Sequence, residues 1–192
     1  MAQLVFSAPN RLDLARTARR VLVFSCAALL LLLPVCSPAA DEMETLTKVG
    51  DKMPSVTVDQ ASGGEFSLAA ETGKVVVINF WATWCGPCQV EMPELEQKIW
   101  QKYKSSPDFA FIAIAREQDK DTVLNFQKTH PGYTFPLAWD PHRDVYKHLA
   151  SAGIPRTYVV DRHGVIVYQS VGIGPSGIDA VDRAVQKALA QR

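Results

Sequence analysis

Cysteine is scarce where a folded domain would use it. The 192 residues contain four cysteines, but Cys26 and Cys36 fall in an apolar N-terminal stretch, leaving Cys85 and Cys88 as the thiols of the remaining chain. One pair is too few for a disulfide-built scaffold, and a bridge across Gly86-Pro87 closes too short a loop to constrain the unfolded chain much. Structural zinc is disfavoured as well, because such sites take four ligands and His130, His142, His148 and His163 lack metal-ligand spacing. Net charge is also missing, with 20 basic against 20 acidic residues. Arg11, Arg16, Arg19 and Arg20 face Asp13 alone in the first 40 residues, so the remainder holds 16 basic and 19 acidic residues. That mildly acidic balance speaks against a nucleic-acid surface. Repeats and low-complexity tracts are absent, and a hydrophobic content of 47% suits roughly one globular domain.

The apolar run Val21 to Val35 has 15 residues, short of the ~20 that a spanning helix needs. It follows Arg19 and Arg20 and precedes Ser37, Pro38, Ala39 and Ala40. Basic, then apolar, then small residues is the order of an export signal, so residues 1–40 are read as a signal peptide or membrane anchor and 41–192 as the folded domain. Leu33-Pro34-Val35-Cys36 resembles a bacterial lipoprotein box, with Val35 where a small residue is expected. Anchoring through residues 21–35 or through an acylated Cys36 follows from these two readings. The arginine pair fits a twin-arginine signal only in part.

Beyond the leader, Ser55 to Val58 and Glu65 to Leu68 alternate around Ser62-Gly63-Gly64 and predict a β-hairpin. Lys74 to Trp81 is nearly continuous in apolar, β-branched residues, the pattern of a strand covered on both faces. Glu91 to Tyr103 reads as a helix with Met92, Leu95, Ile99 and Tyr103 inward and a kink at Pro93. Phe109 to Ala115 predicts a second buried strand and Asp119 to Thr129 a helix. An extended piece at Phe135 to Ala138 and a short helix at Asp144 to Ala150 come next. Thr157 to Val160 and Val165 to Tyr168 form a strand pair, and Ser176 caps a last helix carrying Ile178, Val181, Val185 and Leu189. The order implies an α/β domain with a mixed central sheet.

In NFWATWCGPC, residues 79–88, a buried strand runs into a helix that begins near Cys85. Unpaired N–H groups and the helix dipole at that N-terminus favour a thiolate, which makes Cys85 the expected nucleophile. Cys88 lies about one helical turn later, placed to attack the mixed disulfide that results. Pro87 lacks an N–H that would otherwise need a partner in the first turn.

WCGPC resembles the active-site segment of the thioredoxin superfamily, and Gly153-Ile154-Pro155 resembles its GIP segment, whose proline is cis and faces the CxxC. The chain is most similar to the exported TlpA/ResA/CcmG-like group. The shared features are the signal segment, the hairpin, the inserted stretch Arg116 to Ala150, and Glu91-Met92-Pro93 after the CxxC. The resemblance covers about residues 50–190. It implies a thioredoxin-like fold, with a mixed sheet flanked by helices, an N-terminal hairpin and an insertion. It also implies an enzyme of thiol-disulfide exchange that needs no cofactor or metal, reduces protein disulfides outside the cytoplasm, and draws electrons from a membrane thiol carrier. Apocytochrome c, another exported enzyme, and misoxidised proteins generally all fit as clients.

The same resemblance assigns Cys85, Cys88 and Pro155 to catalysis and makes Trp84, Ile154 and Gly172 a shallow substrate surface. Two positions depart from thioredoxin. Asn79 stands where thioredoxin has a buried aspartate, and an amide does not titrate. Another group must then take the proton of Cys88, and resemblance to ResA-like proteins offers Glu91 and Glu117, with Gln118 a competing match for the latter. Arg156 replaces the threonine after the proline; it either assists the Cys85 thiolate, selects acidic partners, or faces solvent. A peroxidase would show PxxxTxxC before its cysteine, and Sco-type copper delivery a CxxxC; neither pattern is present. A non-catalytic binding module is the alternative from another class, and it would keep its function when both cysteines are replaced.

Overall fold

The computed structural model describes residues 45–172 and 177–191. The leader and Ser176 lie outside these residues. Strands β1 (Thr57–Asp59) and β2 (Glu65–Ser67) pair antiparallel with Val58 opposite Phe66, as the hairpin pattern predicts. Gly63 and Gly64, at φ 91° and 78°, make the turn in a backbone region that side chains disfavour.

Strand β3 (Val75–Trp81) is buried at every residue. It passes into helix α1 (Gly86–Glu94), which continues through wider π-type turns at Leu95–Trp100 and a last α turn at Gln101–Tyr103. Pro93 immediately precedes the widened part, so the kink expected there takes the form of a change of helical pitch. Proline cannot donate to the carbonyl one turn back, and its ring crowds it. Met92, Leu95, Ile99 and Tyr103 nevertheless all remain buried.

Next come β4 (Phe109–Arg116), α2 (Lys120–Thr129) and β5 (Leu137–Asp140). Asp119 caps α2 by accepting from the Thr122 N–H at 2.9 Å. The helix expected over 144–150 is reduced to a 3₁₀ turn at Tyr146–His148. Its entry is captured by Asp140, whose Oδ2 accepts from the N–H groups of Val145 and Tyr146 at 3.1 and 2.9 Å. Strands β6 (Arg156–Val160) and β7 (Ile166–Val171) and helix α3 (Gly177–Ala190) complete the chain. The sheet order is β5-β4-β3-β6-β7, with β3, β4 and β5 parallel and β6 and β7 antiparallel to their neighbours. Among the described residues no helix is long and apolar enough to cross a membrane.

Strand alternation assigns the two faces of β3 different work. Val75, Val77 and Trp81 share a core with Met92, Leu95 and Ile99, with Val123 and Phe126 of α2, and with Val181 and Val185 of α3. Val76, Ile78 and Phe80 share a second core with Val58 and Phe66 of the hairpin, Tyr146 and Leu149. Register carries the division into β6, where Thr157 stands opposite Asn79 and Arg156 opposite Phe80.

This parity corrects the reading of Arg156. The residue is 1% exposed, so it does not face solvent, and its strand position turns it away from the face that carries the cysteine helix. Its guanidinium donates to the carbonyls of Gly153 and Ala152 at 3.3 and 2.8 Å and to Thr45 Oγ1 at 3.0 Å. It therefore braces the loop leading into Ile154-Pro155.

Candidate active site

Cys85 is the N-cap of α1, in extended backbone, with Gly86 and Pro87 in the first turn. A disulfide joins it to Cys88, the Cα atoms being 5.3 Å apart. Cys85 Sγ accepts from the Cys88 N–H at 3.2 Å, so one of the helix's orphan donors points at this sulfur, an arrangement that favours a thiolate there. Cys85 is 5% exposed and Cys88 0%, so Cys85 is the more accessible of the two sulfurs.

The loop before β6 meets this pair. The Ile154–Pro155 peptide is cis, and the Ile154 carbonyl oxygen lies 3.8 Å from Cys85 Sγ. The Gly172 N–H donates to the Pro155 carbonyl at 2.8 Å, and Gly172 has φ 68°, where a side chain would be strained. Trp84, at 60% exposure, stands beside Cys85. Cys85 and Ile154, and Pro155 and Gly172, are thus joined by contact, with Trp84 adjoining Cys85 in the chain. Tyr146, to which no spacing pointed, supports the loop by donating its hydroxyl to the Gly153 carbonyl at 2.6 Å.

Behind the couple, Asn79 Nδ2 donates to Glu91 Oε2 and to Thr157 Oγ1, each at 2.9 Å. Glu91 lies three residues after Cys88, hence on the same side of α1. Burial, chiefly, raises its carboxyl from the usual 4.5 to about 7; Glu94 adds to the rise and the Asn79 hydrogen bond opposes it. Thr157 carried no signal in the sequence, since its contact depends on the antiparallel register of β3 and β6.

Glu117 is engaged by two arginines. It has φ 58°, and its carboxylate pairs with Arg116 at 3.0 Å and lies 4.0 Å from Arg143. Gln118 instead turns inward: its Oε1 accepts from the Thr83 N–H at 2.8 Å and its Nε2 donates to Thr83 Oγ1 at 2.6 Å. The amide thereby fixes the turn that presents Trp84 and Cys85. No cluster of three or more histidine, cysteine, aspartate or glutamate side chains suited to a metal occurs among the described residues.

The raised Glu91 value has a thermodynamic consequence whose sign is fixed. The folded protein holds this proton more tightly than the unfolded chain, so the contribution to stability is full below about pH 4.5 and is lost as pH rises through about 7. A shift of this size corresponds to on the order of 3 kcal/mol. Denaturant unfolding of the oxidised protein across this range should show the decline, and Glu91→Gln should flatten it.

A family model described as Redoxin matches residues 48–187. The thiol-disulfide oxidoreductase ResA of Bacillus anthracis is 30% identical over 125 residues, covering 65% of this chain and 70% of its own. Thioredoxin-like protein YneN of Bacillus subtilis is 34% identical over 128 residues, covering 65% and 71%. Among solved structures, a Bacteroides thetaiotaomicron protein assigned as a disulfide isomerase superimposes with TM-score 0.73 at 34% identity, over 78% of this chain and 94% of that one. A thiol:disulfide interchange protein of the thioredoxin family from Chlorobium tepidum gives 0.61 at 30%, over 74% and 99%. The helix-capping cysteine pair, the opposing cis proline and these relatives agree: the chain belongs to the redoxin family and, within the thioredoxin superfamily, is a thiol-disulfide oxidoreductase of the TlpA/ResA/CcmG-like group.

Proposed function

We propose that this oxidoreductase is an exported reductant of protein disulfides in which Glu91 takes the proton of the resolving cysteine. In the reduced enzyme the Cys85 thiolate attacks one sulfur of a client disulfide, forming a mixed disulfide and expelling the other client sulfur as a thiolate. Glu91 then accepts the Cys88 proton, and the Cys88 thiolate attacks Cys85 Sγ. The second client sulfur leaves, two electrons have passed to the client, and the enzyme is left with its Cys85–Cys88 disulfide. Trp84, Ile154, Pro155 and Gly172 hold the client segment, the carbonyl of Ile154 lying alongside Cys85 and that of Pro155 taken by the Gly172 N–H. The observation that carries the reading is the buried Glu91, one helical turn beyond Cys88 and hydrogen-bonded to Asn79, where burial raises its carboxyl to about 7. A base near ambient pH is suited to move a thiol proton in both directions.

The reducing direction rests on the residues between the sulfurs. A strongly oxidising couple requires a heavily stabilised thiolate. Gly86 and Pro87 carry no side-chain donor, and Pro87 no N–H. Export rests on the basic, apolar and small-residue order of residues 1–40. A reductant outside the cytoplasm needs resupply, for which a membrane thiol carrier is the partner of matching chemistry.

In stopped-flow exchange with a disulfide peptide, Glu91→Gln should slow resolution of the mixed disulfide by about a hundredfold or more and leave the first attack nearly unchanged. Equal rates in both steps would remove Glu91 from the mechanism. Equilibration against a thiol buffer should give a potential nearer about −270 mV than about −120 mV; a value at the oxidising end would overturn the reducing role.

A further inference from the structure

One group beside the couple has unmet chemistry that the exchange reaction does not use. The Arg116 guanidinium, at the end of β4, lies 5.8 Å from the centre of the Trp84 ring and 4.8 Å from that of Tyr146. Its Nη2 meets Glu117, while its Nε and Nη1 are buried without a hydrogen-bond partner. Arg143 lies 5.2 Å from the same Tyr146 ring; its Nη2 donates to the Ser151 carbonyl, and its Nε is likewise buried without a partner. These three guanidinium nitrogens have no acceptor within the protein, so the hydrogen-bonding capacity of the pair exceeds what Glu117 and the Ser151 carbonyl supply.

The position of this pair ties it to the client path. Trp84 adjoins Cys85, and Tyr146, whose ring lies near both guanidinium groups, donates to the carbonyl just before Ile154-Pro155. Both arginines already share one carboxylate, that of Glu117, which closes on Arg116 at 3.0 Å but reaches Arg143 only at 4.0 Å. The Glu117 side chain is 41% exposed, so leaving its place costs little desolvation. Asp140, across the β4/β5 register from Arg116, is the other acidic group nearby, and its Oδ2 is taken by the N–H groups of Val145 and Tyr146.

We infer that Arg116 and Arg143 form a carboxylate-binding clamp at the edge of the substrate surface, occupied by Glu117 in the resting enzyme and by an acidic side chain flanking the client cysteine during exchange. Guanidinium forks match carboxylates better than they match neutral carbonyls, which makes the clamp a selector and not merely a contact. The charge selection that the sequence suggested for Arg156 therefore resides in two other arginines. This inference rests on Cys85 being the attacking sulfur, as proposed above.

The test compares two synthetic disulfide peptides that differ only in Glu against Gln next to the attacked cysteine. The reduced wild-type enzyme should reduce the Glu peptide roughly fivefold to tenfold faster at low salt, and about 1 M salt should erase most of the difference. Arg116→Gln and Arg143→Gln should each bring the ratio toward one. Glu117→Gln should raise it, because the resident competitor is gone. The ratio is internal to each variant, so a loss of active enzyme cancels. Equal rates for both peptides in the wild type, or a preference that neither arginine substitution alters, would overturn the clamp alone. Failure of the wild type to reduce either peptide would overturn the functional reading and the clamp with it.

Discussion

A single amide behind the disulfide ties the active site together. Asn79, in a strand buried at every residue, donates one N–H to Glu91 on the cysteine helix and the other to Thr157, two residues beyond the cis proline. The three elements that meet at Cys85 and Cys88 are thereby referenced to one side chain. The chemistry of an amide matters here. It donates to Glu91 whether that carboxyl is charged or neutral, and it brings no proton of its own. A second carboxylate in its place would have coupled the two titrations and split them into macroscopic values belonging to the pair. With asparagine, one proton and one group remain, and burial, assisted by Glu94, brings that group to about 7 against the opposing Asn79 hydrogen bond.

The alternation of β3 separates reactivity from support. Its helix-facing side carries Asn79 and the core beneath Cys88, while its other side carries Phe80 and, through β6, the buried Arg156. Arg156 grips the carbonyls of Ala152 and Gly153 from below, and Tyr146 grips that of Gly153 as well. The loop bearing Pro155 is thus held from the supporting side and left open toward the couple. Gln118 does the same for the turn at Thr83. Neither brace supplies a reacting atom, yet each fixes a backbone segment next to the cysteine pair.

Much of this was legible because it is local. The continuous apolar run of β3, the apolar stripe of α3 and the N-cap position of Cys85 all follow from spacing along one element. What escaped depends on register between elements or on a single dihedral. Arg156 reads as a surface residue until its pairing with Phe80 shows which way it points. Glu117 sits at φ 58° at the end of β4 and pairs with arginine, while Gln118 after it bonds Thr83, a difference between neighbours that spacing along the chain does not carry. The expected helix near residue 146 is a single 3₁₀ turn whose first N–H groups are capped by Asp140, a contact between residues that sequence periodicity does not register.

The central claim is that Glu91 holds a proton near neutral pH behind the cysteine pair. Carbon-detected NMR of protein labelled at the glutamate carboxyl, assigned through Glu91→Gln and titrated over pH in the oxidised state, measures this directly. The account predicts that the Glu91 carboxyl resonance titrates with a midpoint near about 7. A midpoint at the ordinary glutamate value, about 4.5, would contradict it.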